Sequence, residues 1–254
     1  MPAKRRRPDQ RRAAEATEQV RLARQVQQGL LPPAELTLPE VEVAGRYLPS
    51  WSLGGDFYDY FRLDDGALAL YLGDVQGKGL AGALDALLVS GLLRGVHKAG
   101  ARPAELLALL NQRLCLRRGP GRFSCLGYAL LERSTRRLTF ANAGLPFPLL
   151  ARGGDVRRLE LTGSPVGLFE DAAFDETRVE LAPGDRVLFY SDGVTDSLRA
   201  RDPGGRDRDE QLRELVRGAG DVPAAQGADA LLRRLRRRGR APRDDISFVL
   251  LRIR

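Results

Sequence analysis

Histidine is all but missing from this 254-residue chain: His97 stands alone, and cysteine is limited to Cys115 and Cys125. No Ser-His-Asp set can be assembled around that one imidazole. Neither cysteine is followed by an arginine six positions later, so a Cys-x5-Arg phosphate pocket is excluded. The two cysteines lack metal-type spacing and are expected as reduced thiols. Long apolar runs are also missing, and the Arg-rich start is not followed by an apolar signal segment. A cytoplasmic protein without membrane contact is expected.

The net charge of +8 is confined to two places. Residues 1–12 carry six basic side chains against Asp9, and residues 233–240 carry six arginines and no acid. With both removed, the remainder is slightly acidic. A solvated tail and an outer helix face account for such patches, and nucleic acid is not the expected partner.

The length suits one large domain. Residues 1–12 are read as a disordered basic tail. A helix is expected over 13–31, with Ala16, Val20, Ala23 and Leu30 near one face, and Pro32-Pro33 as its stop. Residues 13–33 form a helix and linker, and a homodimer or a regulatory protein is expected to pair with 13–31. The domain proper spans 34–254. Residues 41–47 alternate as a strand, and another follows at 67–73. The next expected element is an apolar helix over 80–97, with Leu80, Leu84, Leu87, Leu88 and Gly91 on one face. Pro103 opens a second helix carrying Leu106, Leu110 and Leu114. Strands are expected at 125–132, 137–142, 147–151, 156–161, 177–181 and 186–191, then helices near 209–217 and 227–238, and a final strand at 246–253. Helices followed by a block of strands imply an α+β fold with largely antiparallel sheet.

Against this frame stand Asp56, Asp74, Asp192 and Asp244, each beside a Gly-rich turn or at the edge of an apolar run. One aspartate in a Gly turn caps a helix or bonds its own backbone. Four, three of them with glycines that allow close backbone approach, point instead to a shared rim. Gathered there, they would bind hard divalent cations, Mn²⁺ or Mg²⁺, which favour oxygen ligands. Two such ions can activate water and orient a phosphoryl group, so no protein nucleophile is needed.

Five segments now reach a family resemblance. They are Gly54-Gly55-Asp56-Phe57-Tyr58-Asp59, Gly73-Asp74-Val75-Gln76-Gly77-Lys78-Gly79, Asn142-Ala143-Gly144-Leu145-Pro146, Tyr190-Ser191-Asp192-Gly193-Val194-Thr195-Asp196 and Asp244-Asp245-Ile246-Ser247. In order and spacing they resemble the bacterial SpoIIE/RsbU-type phosphatases of the metal-dependent Ser/Thr protein phosphatase (PPM) superfamily, relatives of the type 2C enzymes. The resemblance covers Leu22 to Ile253, including Gln27-Gln28-Gly29-Leu30-Leu31-Pro32.

The resemblance implies an αββα sandwich and two metal ions per domain. It makes Asp74 the bridging ligand, Asp56 and the Val75 carbonyl ligands of one ion, and Asp192 and Asp244 ligands of the other. Asp245 either reaches a further ion through solvent or orders the turn. The implied activity is hydrolysis of phosphoserine or phosphothreonine, with a phosphorylated anti-anti-sigma (STAS-domain) protein as substrate in a partner-switching circuit. A scaffold without turnover and a metal-dependent nucleic-acid phosphodiesterase are the alternatives. Two departures stand out. Gln76 occupies the place of a histidine in type 2C enzymes, and Leu145 that of a histidine in many relatives, which puts local substrate contacts in question.

Overall fold

A computed structural model of the chain describes residues 8–97, 102–117, 121–236 and 242–254. It contains α1 (Pro8–Gly29), β1 (Glu35–Thr37), β2 (Val41–Leu48), β3 (Asp56–Arg62), β4 (Leu68–Val75), α2 (Gly79–His97) and α3 (Pro103–Cys115). The strand block follows with β5 (Ser124–Glu132), β6 (Arg137–Ala143), β7 (Leu149–Arg152), β8 (Asp155–Arg158), β9 (Glu176–Glu180) and β10 (Arg186–Tyr190). The chain closes with α4 (Asp192–Asp196), α5 (Arg208–Arg217), α6 (Ala224–Arg236) and β11 (Ile246–Ile253).

The strands form two antiparallel sheets, ordered β1-β2-β11-β10-β7-β8 and β3-β4-β5-β6-β9. Period-two alternation divides their side chains between layers. From β4, Leu68, Leu70 and Leu72 enter the space between the sheets, where they meet Val187, Phe189, Val249 and Leu251 of the opposite sheet. Phe140 and Phe189 meet edge-on there at 6.3 Å. The alternate residues Ala69 and Tyr71 pack outwards with α2 and α3. On the far side, Phe248 and Leu250 face α5 and α6 through Leu212, Val216, Ala228 and Leu231. The result is the expected four-layer αββα sandwich of an α+β fold.

Three local expectations change. Helix α1 takes in residues 8–12, which are helical and not a disordered tail; residues 1–7 lie outside the described residues. The sequence Phe57-Tyr58-Asp59-Tyr60-Phe61 is strand β3, hidden by the Gly-Gly-Asp turn that precedes it. In α2 the small residues Ala83 and Ala86, with Val89 and Leu93, face the core, leaving Leu80 and Leu84 exposed. The cause is close approach: a Cβ at Gly82 would lie 2.4 Å from the Gly77 carbonyl oxygen. In α3, Leu106, Leu110 and Leu114 are buried as expected.

One ion pair tests stability apart from chemistry. Buried Asp185 accepts hydrogen bonds from Arg152 Nε at 2.9 Å and from the Ala182 amide at 2.8 Å, tying the start of β10 to the end of β7. Asp185→Ala is expected to lower unfolding free energy by about 2 kcal/mol, since hydrogen bonds to a buried charged group are lost. Urea melts read the loss.

Candidate active site

Both sheets end at one rim, and the chain delivers a carboxylate there from each of four segments. Asp56 opens β3 directly opposite Asp74 near the end of β4. Directly opposed Cα atoms in an antiparallel pair lie ~5 Å apart. Asp192 begins α4 one residue after the end of β10, and Asp244-Asp245 precede β11.

Burial decides the electrostatics. Asp56 is only 3% exposed. Desolvation first, then the charges of Asp74 and Asp245, hold its pKa well above the usual carboxylate range. Desolvation, then Asp192 and Asp244, raises Asp74 to about 7. Asp192 lies at the exposed lip, yet desolvation around its carboxylate, then Asp244 and Asp196, raises it too. Like charges crowded at partly desolvated positions are unfavourable without a counter-cation.

Neighbouring groups fix this rim. Ser247 Oγ donates to Asp56 Oδ2 at 2.6 Å, and the Ser247 amide donates to Ser191 Oγ at 3.2 Å. Asp245 orders the turn: Oδ1 accepts from the Ser50 amide and hydroxyl, and Oδ2 accepts from the Gly55 amide at 2.7 Å. The Val75 carbonyl closes over Gly55, where an added Cβ would meet it at 3.0 Å. Lys78 Nζ donates to Asp244 Oδ2 and to the Arg243 carbonyl, both at 2.8 Å. Behind the rim, the Gln27 side chain of α1 donates to the Gly54 carbonyl at 2.7 Å and accepts from the Gly54 amide at 3.3 Å.

Gln27, Tyr47, Lys78 and Ser247 were not picked out as site residues by motif. Tyr47 has the clearest structural signature. Its hydroxyl is buried without a hydrogen-bond partner among the described residues. Desolvation, then the charges of Asp245 and Asp56, pushes its pKa upward. The alternation of residues 41–47 and the Lys between Gly77 and Gly79 were the available signals.

Other residues stand away from the chemistry. Leu145 is 8% exposed and packs in the inter-sheet core, while its backbone carbonyl and amide bond Asn142. Its position is one of packing, not an open substrate face. Gln76 is exposed beside the rim. His97 ends α2, ~27 Å along the helix from Gly79 at its start. Cys115 and Cys125 are unbridged.

The donor set fits hard divalent cations. Asp56, Asp74, Asp192 and Asp244 offer only oxygen, and the orphaned Tyr47 hydroxyl lies among polar groups with a bond to make. Among the described residues no three His, Cys, Asp or Glu side chains already close into a cage. Asp244 pairs with Lys78.

Comparison with known proteins follows the same lines. A family model described as Stage II sporulation protein E (SpoIIE) matches residues 64–254. Phosphoserine phosphatase RsbP of Bacillus subtilis is 26% identical over 241 residues, covering 92% of this chain and 57% of RsbP. The SiaA-PP2C domain of Pseudomonas aeruginosa superposes with a TM-score of 0.80 at 22% identity, covering 94% of this chain and 98% of that one. The RsbU and RsbW domains of a Mycobacterium tuberculosis protein give 0.71 at 26% identity, covering 88% and 62%. The chain spans 24% to 57% of the length of five curated relatives it matches. The matched stretch includes three of the four ligand-type aspartates, and the remaining one, Asp56, faces Asp74 across the β3–β4 ladder. By that match over most of its length, the chain belongs to the SpoIIE family.

Proposed function

We propose that the chain is a divalent-metal-dependent protein phosphatase that hydrolyses phosphoserine or phosphothreonine. The observation that carries this reading is the facing pair Asp56 and Asp74, with raised pKa values, on a rim shared with Asp192 and Asp244. Asp56, Asp74, Asp192, Asp244 and the Val75 carbonyl would hold two Mn²⁺ or Mg²⁺ ions. When bound, such ions supply Lewis acidity towards the phosphoryl group and lower the pKa of water at neutral pH.

The chain's own residues do the rest. Ser247 holds Asp56 by its hydroxyl, and Asp245 ties the Gly55 amide to Ser50, so both sides of the rim keep their spacing. Lys78 places a cation against Asp244 at the open edge, where a phosphoryl oxygen would approach. With Gln76 exposed in place of histidine, the leaving serine takes its proton from solvent.

A phosphorylated STAS-domain protein in a partner-switching circuit is the proposed substrate. The naming of RsbP as a phosphoserine phosphatase and the pairing of RsbU and RsbW domains in a related structure support this. The test is phosphate release from a phosphoserine protein, an aryl phosphate and a dinucleotide phosphodiester, each with and without Mn²⁺. Metal-dependent cleavage of the first two is expected. Cleavage of the diester alone would overturn the reading in favour of a nuclease.

Regulation through α1 belongs to the same proposal. Leu22, Val26 and Leu30 recur every four residues and remain exposed, while Val20, Ala23 and Gln27 turn towards the domain. The outward row would pair in a homodimer or with a regulatory protein. Gln27, Gly54, Gly55 and Asp245 provide a hydrogen-bonded route from α1 to the rim. Leu22→Glu/Val26→Glu is expected to weaken association and raise the Mn²⁺ needed for half-maximal activity. Coupling requires stronger pairing in the active state. Sedimentation and metal titration on the same samples decide it: dissociation with an unchanged metal response reduces α1 to cladding.

A further inference from the structure

Beside the carboxylate rim, and separate from it, lies a cavity of about 790 Å³ lined by Arg199, Arg201, Arg208, Arg236 and Arg243, with Asp196 as its one acid. Its position is fixed by the elements that build the rim. Asp192 and Asp196 are the two ends of α4, ~6 Å apart along the helix, and Arg243 directly precedes Asp244. Leu198, Leu235 and Ile246 are buried apolar residues of its wall.

The charges there are only partly satisfied. Arg208 pairs with Asp196 at 2.6 Å, and Arg201 donates to the Gly205 carbonyl at 2.9 Å. Among the described residues, Arg199, Arg236 and Arg243 have no acidic partner, whereas Arg206, Arg213 and Arg252 each do. Arginine forks match carboxylates in geometry and are less strongly hydrated than lysine, which suits a site with an apolar wall.

The geometry points to a docking site for an acidic segment of the substrate polypeptide, seated here while its phosphoserine lies at the carboxylate rim. This inference rests on the phosphatase reading and adds substrate specificity to it. An extended chain advances ~3.3 Å per residue, so about two residues span the ~6 Å of α4, and the proposal places the acids two to four positions from the phosphoserine. Acidic side chains supply the complementary charge, and the wall accepts their aliphatic stems.

The test compares wild type with Arg199→Glu/Arg236→Glu and the milder Arg199→Gln/Arg236→Gln. Three substrates are used: a phosphoserine peptide with aspartates at those positions, the same peptide with alanines there, and an aryl phosphate. Wild type is expected to favour the acidic peptide in kcat/KM, and charge reversal to reduce that preference by about tenfold or more. The Gln variant falls between, and aryl phosphate turnover is unchanged in both. Fluorescence anisotropy with the unphosphorylated acidic peptide gives a reading that needs no turnover, and binding is expected to weaken with salt. Equal kcat/KM for the two peptides, with the metal-dependent activity present, overturns the docking site and leaves the phosphatase intact. Absence of turnover on all substrates overturns the phosphatase reading, and anisotropy still reports whether the cavity binds the acidic peptide. An oligonucleotide that binds more tightly than that peptide, and weakens equally with the Arg substitutions, overturns the choice of a polypeptide occupant.

Discussion

Asp74→Asn abolishes turnover, lowering kcat by more than about 10³-fold, as expected for loss of a ligand that supports transition-state charge. The same substitution leaves the fold intact and, in EDTA, makes it more resistant to heat at pH 8. The sign follows from the raised pKa of Asp74, about 7, caused by burial and by Asp192 and Asp244. The folded state holds this proton more tightly than the unfolded chain, whose aspartates ionise near pH ~4. The metal-free fold therefore loses this contribution as pH rises from ~4 to ~7. Asparagine removes the loss, so the gap between mutant and wild type is small near pH 4, widens through the neutral range and is largest at pH 8. Near-normal activity in purified Asp74→Asn, or melting curves that diverge only at low pH, would contradict the account.

Gly193→Ala combines the next largest losses of stability and activity. A Cβ there would lie 1.9 Å from the Asp245 carbonyl oxygen and 2.8 Å from its carbon, both backbone atoms. No side chain can swing away, so α4 and the Asp244-Asp245 segment must separate. That movement carries Asp192 away from Asp244. Overpacking of this kind costs ~1–3 kcal/mol, and misplacement by ~1 Å can cost ~10²-fold in rate. Gly91→Ala is the opposite control, because nothing lies within 4 Å of its added Cβ. On an exposed helix face that change is expected to stabilise by ~0.5–1 kcal/mol and leave kcat alone. Urea melts and steady-state rates on the three proteins check both signs.

The four ligand-type aspartates were legible because each is marked locally by a glycine or a strand edge. Their gathering at one rim needed the two-sheet sandwich, which only the family resemblance implied. What could not be read is long-range. Ser247 serves Asp56 from 191 residues away, and Gln27 reaches Gly54 across 27. Periodicity found the Leu80–Leu84 stripe but could not say which way it turns. Close packing of Gly82, Ala83 and Ala86 decides that, because small residues let α2 approach the sheet and push the leucines outwards. Strand β3 was obscured for a related reason: its first residue belongs to a turn motif and to a ladder at once. Tyr47 alternates correctly in β2, yet only three-dimensional burial shows its hydroxyl without a partner.

The central claim is that one rim of carboxylates holds the divalent ions on which phosphoester hydrolysis depends. A Mn²⁺ titration of EDTA-treated protein tests it most directly, with heat and phosphate release followed on the same samples of wild type and Asp74→Asn. The account predicts no turnover before metal is added, recovery that tracks filling of two sites per chain, and loss of both signals in the variant. Turnover that persists in EDTA, or metal binding unchanged by Asp74→Asn, would contradict it.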